Sequence, residues 1–250
     1  MRHSVIMLLA VFCCSLPAIS QTADELVAKN IEAKGGMEKI NALNTVRMTG
    51  RVEAPGGFNG LVSQENKRPN LVRETFTLQG LTAVQAYDGS TGWQIQPFGG
   101  KKDPELMGED DMRDLLIDAD FDGPLVNYKA KGNTVEFLGH DIVDGDDALR
   151  LKVTLKNGDI VYYYLDPDTF LEIRTERQEF IRGSVRENVA NLGSYKAVGG
   201  VMFPFSISGG PKNDPTQWQD TTFDKIEVNV PLAEPEFVVP PMLKEAPKKN

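Results

Sequence analysis

Leu149-Arg150-Leu151-Lys152-Val153-Thr154-Leu155, then Asn157-Gly158, then Ile160-Val161-Tyr162-Tyr163-Tyr164-Leu165: this stretch decides the fold class. Apolar and polar side chains alternate with period two up to Leu155, as a strand with one covered face requires. Asn-Gly accepts the positive φ of a tight hairpin, so Ile160 to Leu165 is the returning strand. Antiparallel pairing is therefore expected here, with a two-residue turn.

The same grammar extends outward in both directions. Val46, Met48, Val52 and Ala54 oppose Thr45, Arg47, Thr49, Arg51 and Glu53, and Pro55-Gly56-Gly57 ends the run. Further strands are expected near 59–66, 70–78, 81–87 and 91–98, with Gly80 and Asp88-Gly89 between them, and near 170–180, 184–194, 200–208 and 221–230. Turns this close favour hairpins over parallel crossovers. Helical periodicity interrupts twice. Thr22 and Glu25 form a capping box ahead of Ala23, Leu26, Val27 and Ile31, and Gly35-Gly36 stops that helix. Met37, Ile40 and Leu43 give a second short turn. A central helix is expected over 105–119, with Met112, Leu115, Leu116 and Ala119 on one face and Glu109, Asp110 and Asp111 in its first turn. The sum is a helix pair, about five strands, a central helix, and about six or seven more strands. That mainly β chain with a few helices (α+β) has too many strands for one flat sheet, so it should curl into a barrel or part-barrel.

Arg2 and His3 precede an apolar run from Val5 to Cys14, and Ala18-Ile19-Ser20 closes it with small residues. This is the pattern of a cleaved secretory leader over residues 1–20. Neither Cys13 nor Cys14 follows a small residue, so cleavage is expected rather than lipid anchoring. Both cysteines then leave with the leader. Residues 21–239 suit one domain, and 240–250, rich in Pro and Lys, reads as a flexible tail.

Composition removes several classes of function. Against 36 acidic residues stand 27 basic ones, of which Arg2 leaves with the leader. Nucleic acid needs a basic footprint and is not an expected partner. His140 is the one histidine past residue 20, which excludes Ser-His-Asp, Cys-His and His-cluster zinc sites. Asp118, Asp120, Asp122 and Gly123 match the first half of a calcium loop, but Lys129 stands where the closing Glu belongs. They read as solvated aspartates at a helix exit, and Asp141, Asp144, Asp146 and Asp147 around Gly145 as a hairpin turn. No spacing brings a catalytic carboxylate pair together. No cofactor, no metal and no enzymatic activity are expected.

A curved sheet of this size has a concave face wider than its own side chains can fill. Trp93, Ile95, Leu149, Leu151, Val153, Val201, Phe203 and Phe205 are the candidate walls of an apolar, acyl-binding cavity, with Met112, Leu115 and Leu116 on a helical lid. Alternation assigns these residues to shared faces without saying which face is concave.

Several ordered motifs resemble the LolA/LolB-like outer-membrane lipoprotein-sorting proteins. They are Ala33-Lys34-Gly35-Gly36 with Leu43 and Gly50; Lys67-Arg68-Pro69-Asn70-Leu71-Val72-Arg73; Tyr87-Asp88-Gly89 with Trp93 and Pro97; Tyr164-Leu165-Asp166 with Thr169; and Tyr195, Gly200-Val201, Pro204, Phe237 and Pro240. The segment from Asp122-Gly123-Pro124-Leu125 to Asn157-Gly158-Asp159 marks a branch apart from the sorting chaperone itself. Arg47, Arg51 and Arg73 are the candidates for the arginine that latches the chaperone's lid. The resemblance implies a strongly curved, unclosed antiparallel β-barrel with helices plugging the opening. It also implies a monomeric periplasmic carrier or chaperone for lipids, acyl chains or lipoproteins. An envelope sensor that uses the same sheet for protein contacts is the competing reading.

Protein exported by its native cell should begin at Gln21 and carry no lipid. Intact-mass measurement checks this, and an acylated N-terminal cysteine would contradict it.

Overall fold

The computed structural model describes residues 21–181 and 183–244. The leader, Cys13, Cys14 and the end of the expected tail lie outside them. The chain opens with α1 (Ala23–Ala33), started by the expected capping box between Thr22 and Glu25, and α2 (Met37–Asn41). Six strands follow as a meander: β1 (Thr45–Ala54), β2 (Phe58–Lys67), β3 (Leu71–Leu78), β4 (Leu81–Tyr87), β5 (Gly92–Gln96) and β6 (Lys101–Leu106). After α3 (Arg113–Ala119) and α4 (Tyr128–Lys131) come β7 (Thr134–Val143), β8 (Asp146–Thr154), β9 (Ile160–Leu165), β10 (Glu172–Ile181) and β11 (Ser184–Gly193). The chain ends with β12 (Lys196–Val198), β13 (Val201–Phe203), β14 (Ser206–Pro211), β15 (Gln219–Val228) and α5 (Pro241–Lys244).

Thirteen strands form one antiparallel sheet in the order β6-β5-β4-β3-β2-β1-β15-β14-β11-β10-β9-β8-β7. β6 and β7 are its two edges and do not pair with each other, so the curved sheet is unclosed. Accumulated strand twist makes a sheet of this width curl. Bulges at Thr49/Gly50, Gln94/Gln96, Phe137/Gly139 and Glu172/Arg174 add local bends.

The helices fill the trough from one side. Leu26 and Val27 of α1 pack on Leu149, Leu151, Val153, Val161, Tyr163 and Leu165. Ile40 of α2 and Leu43 join Val46, Val201, Phe205, Phe223 and Ile226 in the middle. Leu115 and Ala119 of α3 meet Val72 and Met107, with Met112 and Tyr87 alongside. The outer face has its own cover: Val239 packs on Val84, Ala86 and Trp93, and Trp93 donates its indole N–H to the Phe237 carbonyl at 2.9 Å. Pro241–Lys244, at the start of the expected tail, is helical, and Leu243 packs on this cluster.

Several sequence expectations need correction. The helix expected over 105–119 is only Arg113–Ala119, because 101–106 is an edge strand. Charge and Pro104 hide that strand, and an edge tolerates both. Leu116 is 40% exposed. The strand expected over 200–208 breaks at Pro204: Val201–Phe203 pairs with β12, and Ser206–Pro211 with β11 and β15. β7, an edge strand with exposed Leu138 and Ile142, leads into the expected hairpin turn at Gly145, although no bounds were expected for it. Nine strands follow α3, against six or seven expected, and six precede it, against five. The Asn157-Gly158 turn is a three-residue loop closed by Leu155 N–H to the Asp159 carbonyl at 2.8 Å, with positive φ at Gly158 only. Asp144-Gly145 is the two-residue turn, with positive φ at both positions.

At Gly50 an added Cβ would lie 2.1 Å from the Thr222 carbonyl oxygen, across the β1–β15 seam. Gly50→Ala should therefore destabilise the protein by about 1–3 kcal/mol, measurable by urea unfolding.

Candidate functional site

Cross-strand partners project to the same face, so the register identifies the concave wall. Val62, Phe76 and Ala83 form one row across β2, β3 and β4, and Gln64, Glu74, Gln85 and Gln94 form the next, reaching β5. Arg177 and Asn188 pair across β10 and β11, and Leu192, Ile207 and Thr221 across β11, β14 and β15. These rows enclose a cavity of about 930 Å³. Val52, Val62, Phe76, Ala83, Ile207 and Phe223 supply apolar wall; Gln64, Glu74, Gln85, Arg177 and Asn188 supply a polar band; Asp114 and Asp118 reach it from α3. Phe58, Leu78 and Phe98 stand where the cavity opens among the hairpin tips, with the Phe76 and Phe98 ring centroids 5.5 Å apart.

Ion pairs hold α3 across the trough. Its apolar side rests on β3 and β4, while Asp118 meets Arg177 at 2.9 Å and Asp114 meets Arg186 on the opposite wall. Arg113 binds both oxygens of Asp159 at 2.9 Å, and Asp159 is buried. Arg47, Arg51 and Arg73 lie elsewhere: Arg47 and Arg73 pair with Glu65, and Arg51 with Asp224. The arginines that contact the lid come from the second half of the chain, where no motif marks them.

Two carboxyls near the lid are short of cations. Glu74 makes no hydrogen bond or ion pair with any described residue, and it is pushed up to about 8. Burial is the main cause; the charges of Asp118 and Asp114 add to it, and Arg177 opposes. Glu179 is fully buried, with Oε2 on Arg186 and Oε1 without a hydrogen-bond partner among the described residues. Burial and the Asp114 carboxylate raise its pKa, and Arg186 resists.

The remaining polar motifs are internally satisfied. Asp118, Asp120 and Asp122 turn to three different cations: Arg177, Lys131 at 2.5 Å, and Arg68 at 2.6 Å. Arg68 also donates to the carbonyls of Leu43 and Ile40 and lies 4.4 Å from the Phe121 ring centroid. His140 is exposed and shares its Nδ1 with Asp147 at 2.9 Å. Among the described residues no group of three or more His, Cys, Asp or Glu is placed to hold a metal ion.

The sequence-derived wall candidates gather in the interior clusters, and none borders the large cavity. Trp93 and Ile95 share rows with Ala86 and Val84 on the outer face, beneath the C-terminal arm. Leu149, Leu151 and Val153 are on the concave face, but α1 covers them. Val201 and Phe205 pack beside α2, and Phe203 borders two smaller recesses of about 250 Å³. Met112 and Leu115 anchor α3 to the sheet, and Leu116 is exposed.

No protein-family model and no curated protein sequence matches the chain. Solved structures do. A LolA superfamily protein from Nitrosomonas europaea is 14% identical with a TM-score of 0.57, covering 88% of this chain and 99% of its own. A DUF1329 family protein from Desulfovibrio piger is 11% identical with a TM-score of 0.58, covering 88% and 98%. A putative outer membrane lipoprotein-sorting protein domain from Vibrio parahaemolyticus is 10% identical with a TM-score of 0.57, covering 86% and 97%. The chain has the LolA/LolB-like fold.

Glu74 gives this site a pH signature. The fold favours its neutral form, whereas the unfolded chain ionises it above about 4.5. The wild-type protein therefore loses stability as pH rises from about 4.5 to about 8. Glu74→Gln removes that penalty. Its stability should match wild type below pH 4.5 and exceed it increasingly up to pH 8, by an amount on the order of 2 kcal/mol, with a parallel rise in Tm. Thermal melts across this range check it.

Proposed function

We propose that this protein is a periplasmic carrier or chaperone that holds an acyl chain, of a lipid or a lipid-modified protein, in the cavity beneath α3. The observation that carries this reading is the cavity itself. It is about 930 Å³, walled by Val62, Phe76, Ala83, Ile207 and Phe223, and bounded by a seven-residue helix. That volume is at the upper end of the usual range for ligand sites, about 300–1,000 Å³. Burying each methylene is worth about 0.8 kcal/mol, so a long chain gains roughly 10 kcal/mol gross, before the costs of ordering it and moving the lid. A helix of two turns has little stability of its own. α3 depends on Leu115, Ala119 and its ion pairs, which suits a closure that must open for cargo.

The fold shared with a lipoprotein-sorting domain supports the same reading. So does the leader pattern at residues 1–20, which would deliver the chain across the inner membrane. No helix among the described residues is long and apolar enough to cross a membrane. An envelope sensor or protein-contact module remains the second reading, favoured by exposed Phe58 and Phe98 on the cavity lining.

A fluorescent fatty-acid binding assay tests the carrier reading. The wild-type protein should bind the probe, and Ala83→Trp, which places an indole in the cavity, should weaken binding at least tenfold with unchanged circular dichroism. A wild-type protein that binds no acyl probe favours the protein-contact reading.

A further inference from the structure

The cavity wall is not uniformly greasy. One polar row, Gln64–Glu74–Gln85, crosses it, with Val62–Phe76–Ala83 on the side of the opening and Val72 under Leu115 on the other. A polar band across an apolar pocket fixes where the polar end of an amphiphile rests.

The charges around this band do not balance. Four carboxyls converge beneath and beside α3, those of Glu74, Asp114, Asp118 and Glu179, and among the described residues two guanidiniums answer them. Arg177 pairs with Asp118 at 2.9 Å and more loosely with Asp114 at 3.9 Å, and Arg186 is divided between Asp114 and Glu179. Glu74 borders the cavity half-buried, with no hydrogen-bond or ion-pair partner among the described residues. A desolvated, unpaired carboxyl is costly to the folded protein unless a ligand supplies its partner.

We propose that the cavity selects amphiphiles with a protonated amine at one end, bound by Glu74, and that the apolar tail runs from there along Phe76 and Ala83 toward the opening. The reasoning is charge complementarity at short range. An ammonium group at Glu74 would add the missing positive charge and three donors, for which Gln64 and Gln85 offer further acceptor oxygens. A carboxylate or phosphate in the same place would face Glu74, Asp114 and Asp118, while Arg177 is already engaged. This inference rests on the carrier reading and specifies the chemistry of the head group.

The groups that face Glu74 set the pH response. Asp114 and Asp118 approach from α3 and Arg177 from β10, while Gln64 and Gln85 flank it on β2 and β4. A cationic ligand should draw the proton off Glu74, so its affinity should rise with pH while the amine itself stays charged.

Decylamine, decanol and decanoate share one tail and differ in the head. Calorimetric titration of the full mature chain with each, at pH 6, 7.5 and 9, is the experiment. Decylamine should bind at least tenfold more tightly than the other two at pH 9. Its affinity should fall toward pH 6, and binding at pH 7.5 should release a proton, read from titrations in buffers of different ionisation enthalpy. Glu74→Gln should abolish the amine preference while decanol binding stays within twofold. Equal binding of all three probes, a preference for decanoate, or an amine preference that survives Glu74→Gln would overturn the head-group assignment and leave the carrier reading standing. Failure of every probe to bind would overturn both. If Glu74→Gln does not fold, the pH dependence and proton release of the wild-type protein decide alone, and a pH-independent affinity for decylamine refutes the proposal.

Discussion

The antiparallel pairing of β1 with β15 joins two meanders into one sheet, and every other feature of the site depends on it. Its register runs from Val46 opposite Val228 to Glu53 opposite Asp220, residues more than 160 positions apart in the chain. β1 carries β2 to β6 on its other side, and β15 carries β14 and then β11 to β7. The bulge at Gly50 brings the two backbones so close that no side chain fits there. Without this seam Val62, Phe76 and Ala83 would not face Ile207, Asn188 and Arg177, and there would be no trough for α3 to cross.

Enclosing that trough creates an electrostatic problem. A helix with Asp114 and Asp118 on its inner side meets a wall bearing Glu74 and Glu179, and among the described residues two arginines serve four carboxyls. Each ion pair gains Coulomb energy but loses hydration, so such contacts orient a helix more than they stabilise it. The firm attachment of this region is elsewhere, in buried Asp159 with both oxygens on Arg113 and in Leu115 against Val72. α3 is therefore tethered at one side and electrostatically strained at the other. That combination, over a cavity with an apolar wall, is what separates this site from a plain hydrophobic core.

The large sheet also explains which apolar residues became core and which became cavity. Leu149, Leu151 and Val153 have the cleanest alternation in the chain, and α1 covers them completely. Strong periodicity marks a face that some element must cover, and an N-terminal helix capped by Thr22 and Glu25 does so. The cavity wall mixes Gln64, Glu74, Phe76, Ala83 and Gln85, a row pattern with weak contrast between its faces. Trp93 stands out in the sequence for the opposite reason: its indole N–H is bonded to the Phe237 carbonyl beneath a C-terminal arm on the outer face.

By itself the sequence determined the local units. Period-two alternation, glycine at positive φ and the Thr22 capping box are short-range effects, and they place α1, α2, the run β1 to β5 and the β8–β9 hairpin within a few residues of where they form. Histidine and cysteine counts likewise limit the available chemistry without any structure. Only the tertiary structure decided which face curls inward, because alternation is symmetric between the two faces until twist and partner strands break the symmetry. Only it revealed β6 and the bounds of β7, whose edge positions tolerate charge, Pro104 and exposed Leu138. And only it brought Glu74 to Asp114, Asp118 and Arg177, since a charge cluster drawn from β3, α3 and β10 has no signature at any single spacing along the chain.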